Sequence, residues 1–162
     1  MPGLQIDIAL LYRSLEVAKL SSQKGNLPFG CLLADNEGRI LLEAENAVIT
    51  GMDSIAHCEI NLVHQLAGKY ETDFLNHCTV YASTEPCPMC AGAIFWSGIG
   101  RLVYAMSKET FHQLAGTQDP AHFFDIPAKE LITYGRRKVE VIGPLLENEA
   151  SVIYRELLQP IP

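Results

Sequence analysis

The N-terminal part of the chain carries apolar side chains three or four positions apart. This spacing, which is typical of an amphipathic helix, is shared by Leu4, Ile8, Leu11, Leu15 and Ala18. It predicts a helix over residues 4–23 that ends at the Gly25-Asn26 pair.

Short apolar runs bounded by turn residues predict the strands. Segments 28–35 and 39–46 flank Asn36-Glu37-Gly38 and therefore form a predicted β-hairpin. Further strands are predicted at 77–83, 101–106 and 138–143. The remaining helical patterns cover residues 55–67, 87–97, 108–115 and 146–158.

The resulting order of elements is α-β-β-α-β-α-β-α-β-α. It predicts an α/β fold, a three-layer α/β/α sandwich with a mixed five-stranded sheet. No linker, repeat or low-complexity tract interrupts the pattern, so we expect one domain over residues 1–162. The least regular stretch is GTQDPAHFFDIPAK, residues 116–129.

Charge and hydropathy narrow the possible partners. Twelve basic and nineteen acidic side chains give a net charge of −7, which disfavours a protein that grips polyanionic nucleic acid. The short basic cluster at 136–138 does not change this. The N-terminus has no signal-peptide pattern and no apolar run is long enough to span a membrane, so we expect a cytoplasmic protein.

The five cysteines form an odd set with one close pair, which favours thiols and a metal site over a disulfide framework. Cys87 and Cys90 stand at the predicted start of a helix, where positions i and i+3 face the same way. The positive end of the helix favours the thiolates that bind zinc, and Pro88 suits a first helical turn. Taken alone, this pair is either half of a structural zinc site or a redox pair.

The segment His57-Cys58-Glu59 supplies further candidate ligands. Binding by both His57 and Cys58 would give a closed Cys3His structural site, whereas His57 alone would leave a position open for water. Neighbouring helical residues point about 100° apart, which makes joint binding of one ion awkward. A carboxylate at Glu59 needs only to reach a metal-bound water and move its protons, so the open, hydrolytic arrangement is the preferred interpretation.

His57-x-Glu59 followed by Pro86-Cys87-x-x-Cys90 resembles the signature of the zinc-dependent deaminases of bases and nucleosides. The resemblance implies a cytidine deaminase-like fold and one zinc ion per chain, with a bound water or hydroxide as the nucleophile. It implies that His57, Cys87 and Cys90 hold the zinc and that Glu59 moves protons. A homodimer is also expected from the resemblance.

Three strings, PFG at 28–30, EPCPMC at 85–90 and AIFWSGIGRLVYA at 93–105, are most similar to bacterial guanine deaminases. The resemblance therefore implies hydrolysis of guanine to xanthine and ammonia, with a small nucleobase as the partner and no nucleic acid. The alternatives are a tRNA adenosine deaminase, a cytosine or cytidine deaminase, and a structural zinc-binding module that is not an enzyme.

The same similarity implies five substrate contacts. Phe29 and Trp96 would line the pocket, Asn46 would hydrogen-bond the purine, and Asp119 would grip its ring nitrogens. Cys58 stands where these deaminases usually carry a small residue, commonly Ala, whose backbone N–H contacts the substrate. We therefore expect Cys58 to border the substrate and to affect the shape of the pocket.

Overall fold

Five strands form one mixed sheet at the centre of the molecule. A computed structural model of the chain describes residues 2–117 and 119–159. The strands are β1 Gly30–Ala34, β2 Ile40–Glu45, β3 Thr79–Thr84, β4 Arg101–Met106 and β5 Glu140–Ile142. Their order across the sheet is β2-β1-β3-β4-β5. Strand β1 runs antiparallel to β2 and β3, whereas β3, β4 and β5 are parallel, so the predicted mixed five-stranded sheet is confirmed.

The described helices cover both faces of the sheet. They are α1 Leu4–Gln23, α2 Cys58–Leu66, α3 Thr72–Leu75, α4 Pro88–Trp96, α5 Lys108–Ala115, α6 Ala128–Thr133 and α7 Glu147–Leu157, with a 3-10 turn at Pro120–His122. Helices α1 and α7 contact each other on one face, while α2, α4 and α6 lie on the other. This is the predicted three-layer arrangement. No helix in the described ranges is both long and apolar enough to cross a membrane.

Alternation along the strands produces two separate hydrophobic cores. Leu32 and Leu33 are neighbours on β1, yet Leu32 packs with α1 and α7 and Leu33 packs with α2 and α4. Successive strand residues point to opposite faces of a sheet, which accounts for this division. Strands β3 and β4 are buried along their whole length, as expected for parallel strands covered on both faces.

Helix α1 crosses β1 at very close range. A Cβ atom at position 30 would overlap the backbone of Ala18, so only glycine fits where β1 begins. The strand therefore starts at Gly30, two residues later than predicted, and Phe29 is left at its entrance.

The sequence prediction of the second helix was wrong at its start. Helix α2 begins at Cys58, not at residue 55, because the preceding backbone is used in tight turns. The N–H of Ala56 donates to Asp53 O, and the N–H of His57 donates to Ile55 O. His57 has an extended backbone and is the N-cap of α2.

Two short helices were not predicted. Helix α3 has four residues and α6 has six, which is too short for a helical period to stand out from the sequence. Helix α6 begins at Ala128, at the end of the stretch that the sequence marks as least regular. The final strand is shorter than predicted, spanning 140–142 instead of 138–143.

Candidate active site

The N-termini of α2 and α4 converge on one point. These two helices pack against each other, and each begins immediately after a candidate metal ligand: His57 caps α2 and Cys87 caps α4. Both residues have extended backbones, and Pro88 occupies the first turn of α4, where its missing N–H removes no helical hydrogen bond. The positive ends of both helices therefore face the same space, which favours negative charge there.

Three side chains meet between the helix ends. His57 Nδ1 lies 3.5 Å from Cys90 Sγ and 3.7 Å from Cys87 Sγ. The three candidate ligand atoms all lie within 4.8 Å of one another. A tetrahedral zinc ion with ordinary Zn–N and Zn–S bond lengths separates its nitrogen and sulfur ligands by about 3.6 Å. The observed separations match this geometry, so the residues fit a zinc ion.

The three side chains of the cluster affect one another's pKa values. Hydrogen bonds from Cys90 and His57 lower the pKa of Cys87 to about 4. The same contact with Cys87, together with burial, raises the pKa of Cys90. The pKa of His57 is raised by its hydrogen bond with Cys87. Zinc binds the deprotonated forms of these groups, so a zinc ion that binds here would displace their protons.

A buried acid stands beside this cluster. Glu59, the second residue of α2, is only 6% exposed, and burial raises the pKa of its carboxyl group. Its carboxylate is close enough to Cys90 to raise the pKa of that thiol. An acid that sits next to a metal-ligand cluster and has a raised pKa is suited to accept a proton and give it back.

The Cys58 thiol is buried in the core and is not one of the three clustered candidate ligands. It belongs to the same core cluster as Cys31, and burial raises the pKa of the Cys58 thiol well above its ordinary value. Among the described residues, the group that can hold a metal ion consists of His57, Cys87 and Cys90. The structure therefore does not assemble the closed Cys3His site that the sequence left open.

Comparison with known proteins places this geometry in a family. The model of the cytidine and deoxycytidylate deaminase zinc-binding region matches residues 4–106, which include the whole cluster and Glu59. The chain belongs to this deaminase family.

The relatives of the deaminase are named for different substrates. A probable cytosine deaminase of Schizosaccharomyces pombe is 35% identical over 149 residues, covering 92% of this chain and 90% of its own length. A tRNA-specific adenosine deaminase of Bacillus subtilis is 31% identical, covering 93% and 90% respectively. The structure of a guanine deaminase from Nitrosomonas europaea is 25% identical, with a TM-score of 0.72 over 93% of this chain and 83% of that one.

Two predicted substrate contacts of the deaminase lie together near the cluster. The N–H of Asn46 donates to Phe29 O, and the N–H of Ala47 donates to Ala56 O, next to the ligand His57. Asn46 is 1% exposed; its Oδ1 accepts a hydrogen bond from the N–H of Val48, but its Nδ2 has no partner among the described residues. A buried amide donor without an acceptor is costly, and a bound ligand would satisfy it.

Of the other three predicted contacts, Trp96 and Asp119 are not brought to the cluster. Trp96 is the last residue of α4, about 12 Å along the helix from Pro88, and is 85% exposed. Asp119 is exposed, and its carboxylate accepts a hydrogen bond from the N–H of Ala121 at the start of the 3-10 turn. The roles of Trp96 and Asp119 in substrate binding stay predictions.

Glu85, which directly precedes Pro86-Cys87, connects segments that are distant along the chain. Its carboxylate accepts hydrogen bonds from the N–H groups of Lys108 and Ala128. These partners lie 23 and 43 positions away along the chain. No local spacing reveals such contacts, and the only signal in the sequence is an acid placed directly before Pro86-Cys87.

Proposed function

We propose that the chain is a zinc-dependent hydrolase that releases ammonia from a free nucleobase, with guanine as the expected substrate and xanthine as the product. The observation that carries the proposal is the cluster of His57, Cys87 and Cys90 with the buried carboxyl group of Glu59 beside it. One zinc ion per chain fits the ligand separations of 3.5 and 3.7 Å. When bound, zinc supplies the Lewis acidity that makes water a nucleophile near neutral pH.

The chain itself moves the protons. Glu59 takes a proton from the attacking water and gives it to a ring nitrogen of the base. It then moves the proton of the added hydroxyl group to the amino group, which leaves as ammonia while a carbonyl forms on the base. Its buried position raises the pKa of the carboxyl group toward the range in which both transfers are favourable. Overall, guanine and water become xanthine and ammonia, and no redox partner is needed.

Recognition of the base would come from Asn46 and Phe29. The unpaired Nδ2 of Asn46 offers a buried donor for a carbonyl oxygen or ring nitrogen of the base. The half-buried ring of Phe29, held by Phe111 at a centroid distance of 4.8 Å, offers an apolar wall. A site that pairs its polar groups with those of the substrate rejects analogues that lack them.

The proposal is tested with Glu59→Gln, using Glu156→Gln on the exposed surface of α7 as the matched control. We expect one zinc per chain in all three proteins by metal analysis. Glu59→Gln should release ammonia at least about 100 times more slowly, because a proton-transferring group contributes that much or more. Wild-type activity in Glu59→Gln would refute the mechanism.

A cytosine deaminase is the second candidate, favoured by the Schizosaccharomyces pombe relative, which matches over 90% of its own length. Ammonia release from guanine, guanosine, adenine, cytosine and cytidine separates the two candidates. Turnover of cytosine but not guanine would reject guanine as the substrate.

A tRNA adenosine deaminase is less favoured because the net charge of −7 opposes binding to a polyanion. This function requires salt-sensitive tRNA binding and the formation of inosine. Wild-type protein that shows neither, but that turns over a free base, would exclude it.

We also infer a homodimer. Two exposed aromatic side chains, Trp96 and Tyr134, line a groove of about 480 Å³ along α4 and α6, at the C-terminal ends of the two helices. Aromatic residues concentrated on one exposed surface are typical of protein interfaces. We expect twice the mass of one chain by light scattering, and a shift toward the monomer in Trp96→Ser. A monomeric wild-type protein would refute the inference.

A further inference from the structure

The segment 119–127 crosses the surface next to the start of α4 and is exposed along its whole length. Its residues Phe124 and Ile126 line the α4–α6 groove together with Pro88 and Met89, the two residues that follow the metal ligand Cys87. Because the segment is exposed, burial contributes little to holding it in place. Polar contacts near its C-terminal end hold it instead.

Glu85 supplies the central contact. Its Oε1 accepts a hydrogen bond of 2.8 Å from the N–H of Ala128, the first residue of α6, and its Oε2 accepts one of 3.3 Å from the N–H of Lys108, the first residue of α5. One carboxylate therefore joins the elements on either side of the segment. Its own backbone is fixed as well, because the N–H of Glu85 donates to Met106 O at 2.8 Å.

Lys108 extends the same support into the segment. Its Nζ donates to Phe124 O at 3.3 Å and to Ile126 O at 2.9 Å. The segment also contacts α5 through Phe123, whose ring lies 4.6 Å from the ring of His112. The backbone of 124–126 is thus held by Lys108, and Lys108 is held by Glu85, which lies two residues before Cys87.

We propose that Glu85 is a positioning residue that sets the place of the 119–127 segment relative to the metal cluster, and that this segment forms one wall of the substrate site. The inference rests on the proposed deaminase function. It gives Glu85 a role in substrate binding without contact with the reacting atoms, since its two carboxylate oxygens are already occupied by backbone donors. The cluster that holds the metal and the proton-moving Glu59 should work normally without it.

The test uses two variants that weaken the support at different points. Glu85→Gln keeps the size of the side chain but replaces one acceptor oxygen with a donor, so one backbone N–H loses its partner. Lys108→Met keeps the apolar stem and removes the contacts to Phe124 O and Ile126 O, and it changes no residue near Cys87. The matched controls are Glu130→Gln and Lys129→Met, both exposed on α6.

For the holoenzyme we expect one zinc per chain in all five proteins. In Glu85→Gln and Lys108→Met, KM for the base should rise about tenfold, the effect of losing one charge-assisted hydrogen bond, while kcat changes less than threefold. Amide hydrogen exchange in residues 119–128 should quicken in both variants and stay unchanged in both controls. A fall in kcat of about tenfold with KM unchanged would overturn the inference. Loss of zinc from Glu85→Gln would overturn it as well.

Hydrogen exchange separates this inference from the proposed function. If wild-type protein releases ammonia from no base, the proposed function fails and the exchange data still show whether Glu85 and Lys108 hold the segment. If exchange quickens in both variants while KM and kcat stay within twofold of wild type, the deaminase function stands and the wall assignment is wrong. Unchanged exchange in both variants would refute the support itself.

Discussion

Replacing Cys58 with alanine distinguishes an open metal site from a closed one. Cys58 stands between the ligand His57 and the acid Glu59, but its thiol is buried against Cys31. A closed site would need this thiol as a fourth ligand. The geometry instead predicts that Cys58→Ala keeps a full complement of zinc.

The expected cost in stability follows from burial. Cys58 is 1% exposed, so the substitution removes one buried sulfur atom, comparable to a methylene group worth about 0.8 kcal/mol. The small cavity that remains adds about 0.5 kcal/mol if its lining does not collapse. A loss of about 1–1.5 kcal/mol lowers the melting temperature of a chain of this size by roughly 2–6 °C.

Cys78→Ala is the matched control, because Cys78 is also fully buried but lies outside the metal cluster. Metal analysis and thermal unfolding should give similar results for the two variants: one zinc per chain and a modest fall in melting temperature. Cys90→Ala should lose zinc instead. If Cys58→Ala loses zinc while Cys78→Ala retains it, Cys58 is a ligand and the open-site interpretation is wrong.

Two further predictions concern stability. Asp7→Asn should lower the free energy of unfolding by about 3–5 kcal/mol in urea titrations, because it leaves the buried guanidinium of Arg101 without its bidentate partner. The control Glu140→Gln removes a half-exposed partner of Arg101 and should lower the free energy of unfolding by at most about 1 kcal/mol. Equal losses in the two variants would contradict this reasoning. For the carboxyl group of Asp35, burial alone would raise the pKa, but hydrogen bonds from Arg39 and from the N–H of residue 37 lower the pKa overall. The ionised carboxyl group therefore stabilises the fold above the unfolded-state pKa of about 3.9, and this stabilisation is lost as pH falls through the lower folded-state pKa. The gap in melting temperature between wild type and Asp35→Asn should therefore shrink between pH 6 and pH 3, and a constant gap would refute the linkage.

Where local chemistry decides the structure, the sequence was informative. Helix α1 has the bounds that its periodic apolar positions predict, and β4 was placed to the residue. The start of α2 was misplaced because Ile55 and Ala56 continue a helical apolar pattern. Their backbone is nevertheless committed to turns by hydrogen bonds that no side-chain pattern records.

Contacts between distant segments could not be read in the same way. Asn46 reaches the site because β2 ends beside Phe29, and its unpaired Nδ2 is visible only in three dimensions. The similarity that suggested Trp96 as a pocket residue gives no position along α4 relative to the cluster. In the structure, helical rise separates Trp96 from Pro88 by about 12 Å along α4, a distance that the similarity could not supply.

The compactness of the metal motif has a geometric cause. Each half of it is the start of a helix, with a ligand at the N-cap and a second functional group inside the first turn: Glu59 after His57, and Cys90 after Cys87. The residue between His57 and Glu59 is turned by the helix toward the core, where its side chain meets Cys31. The role of Cys58 at the border of the substrate stays a prediction. The fold itself requires a side chain small enough for the core at this position, because Cys58 is nearly fully buried and packs in the same core cluster as Cys31.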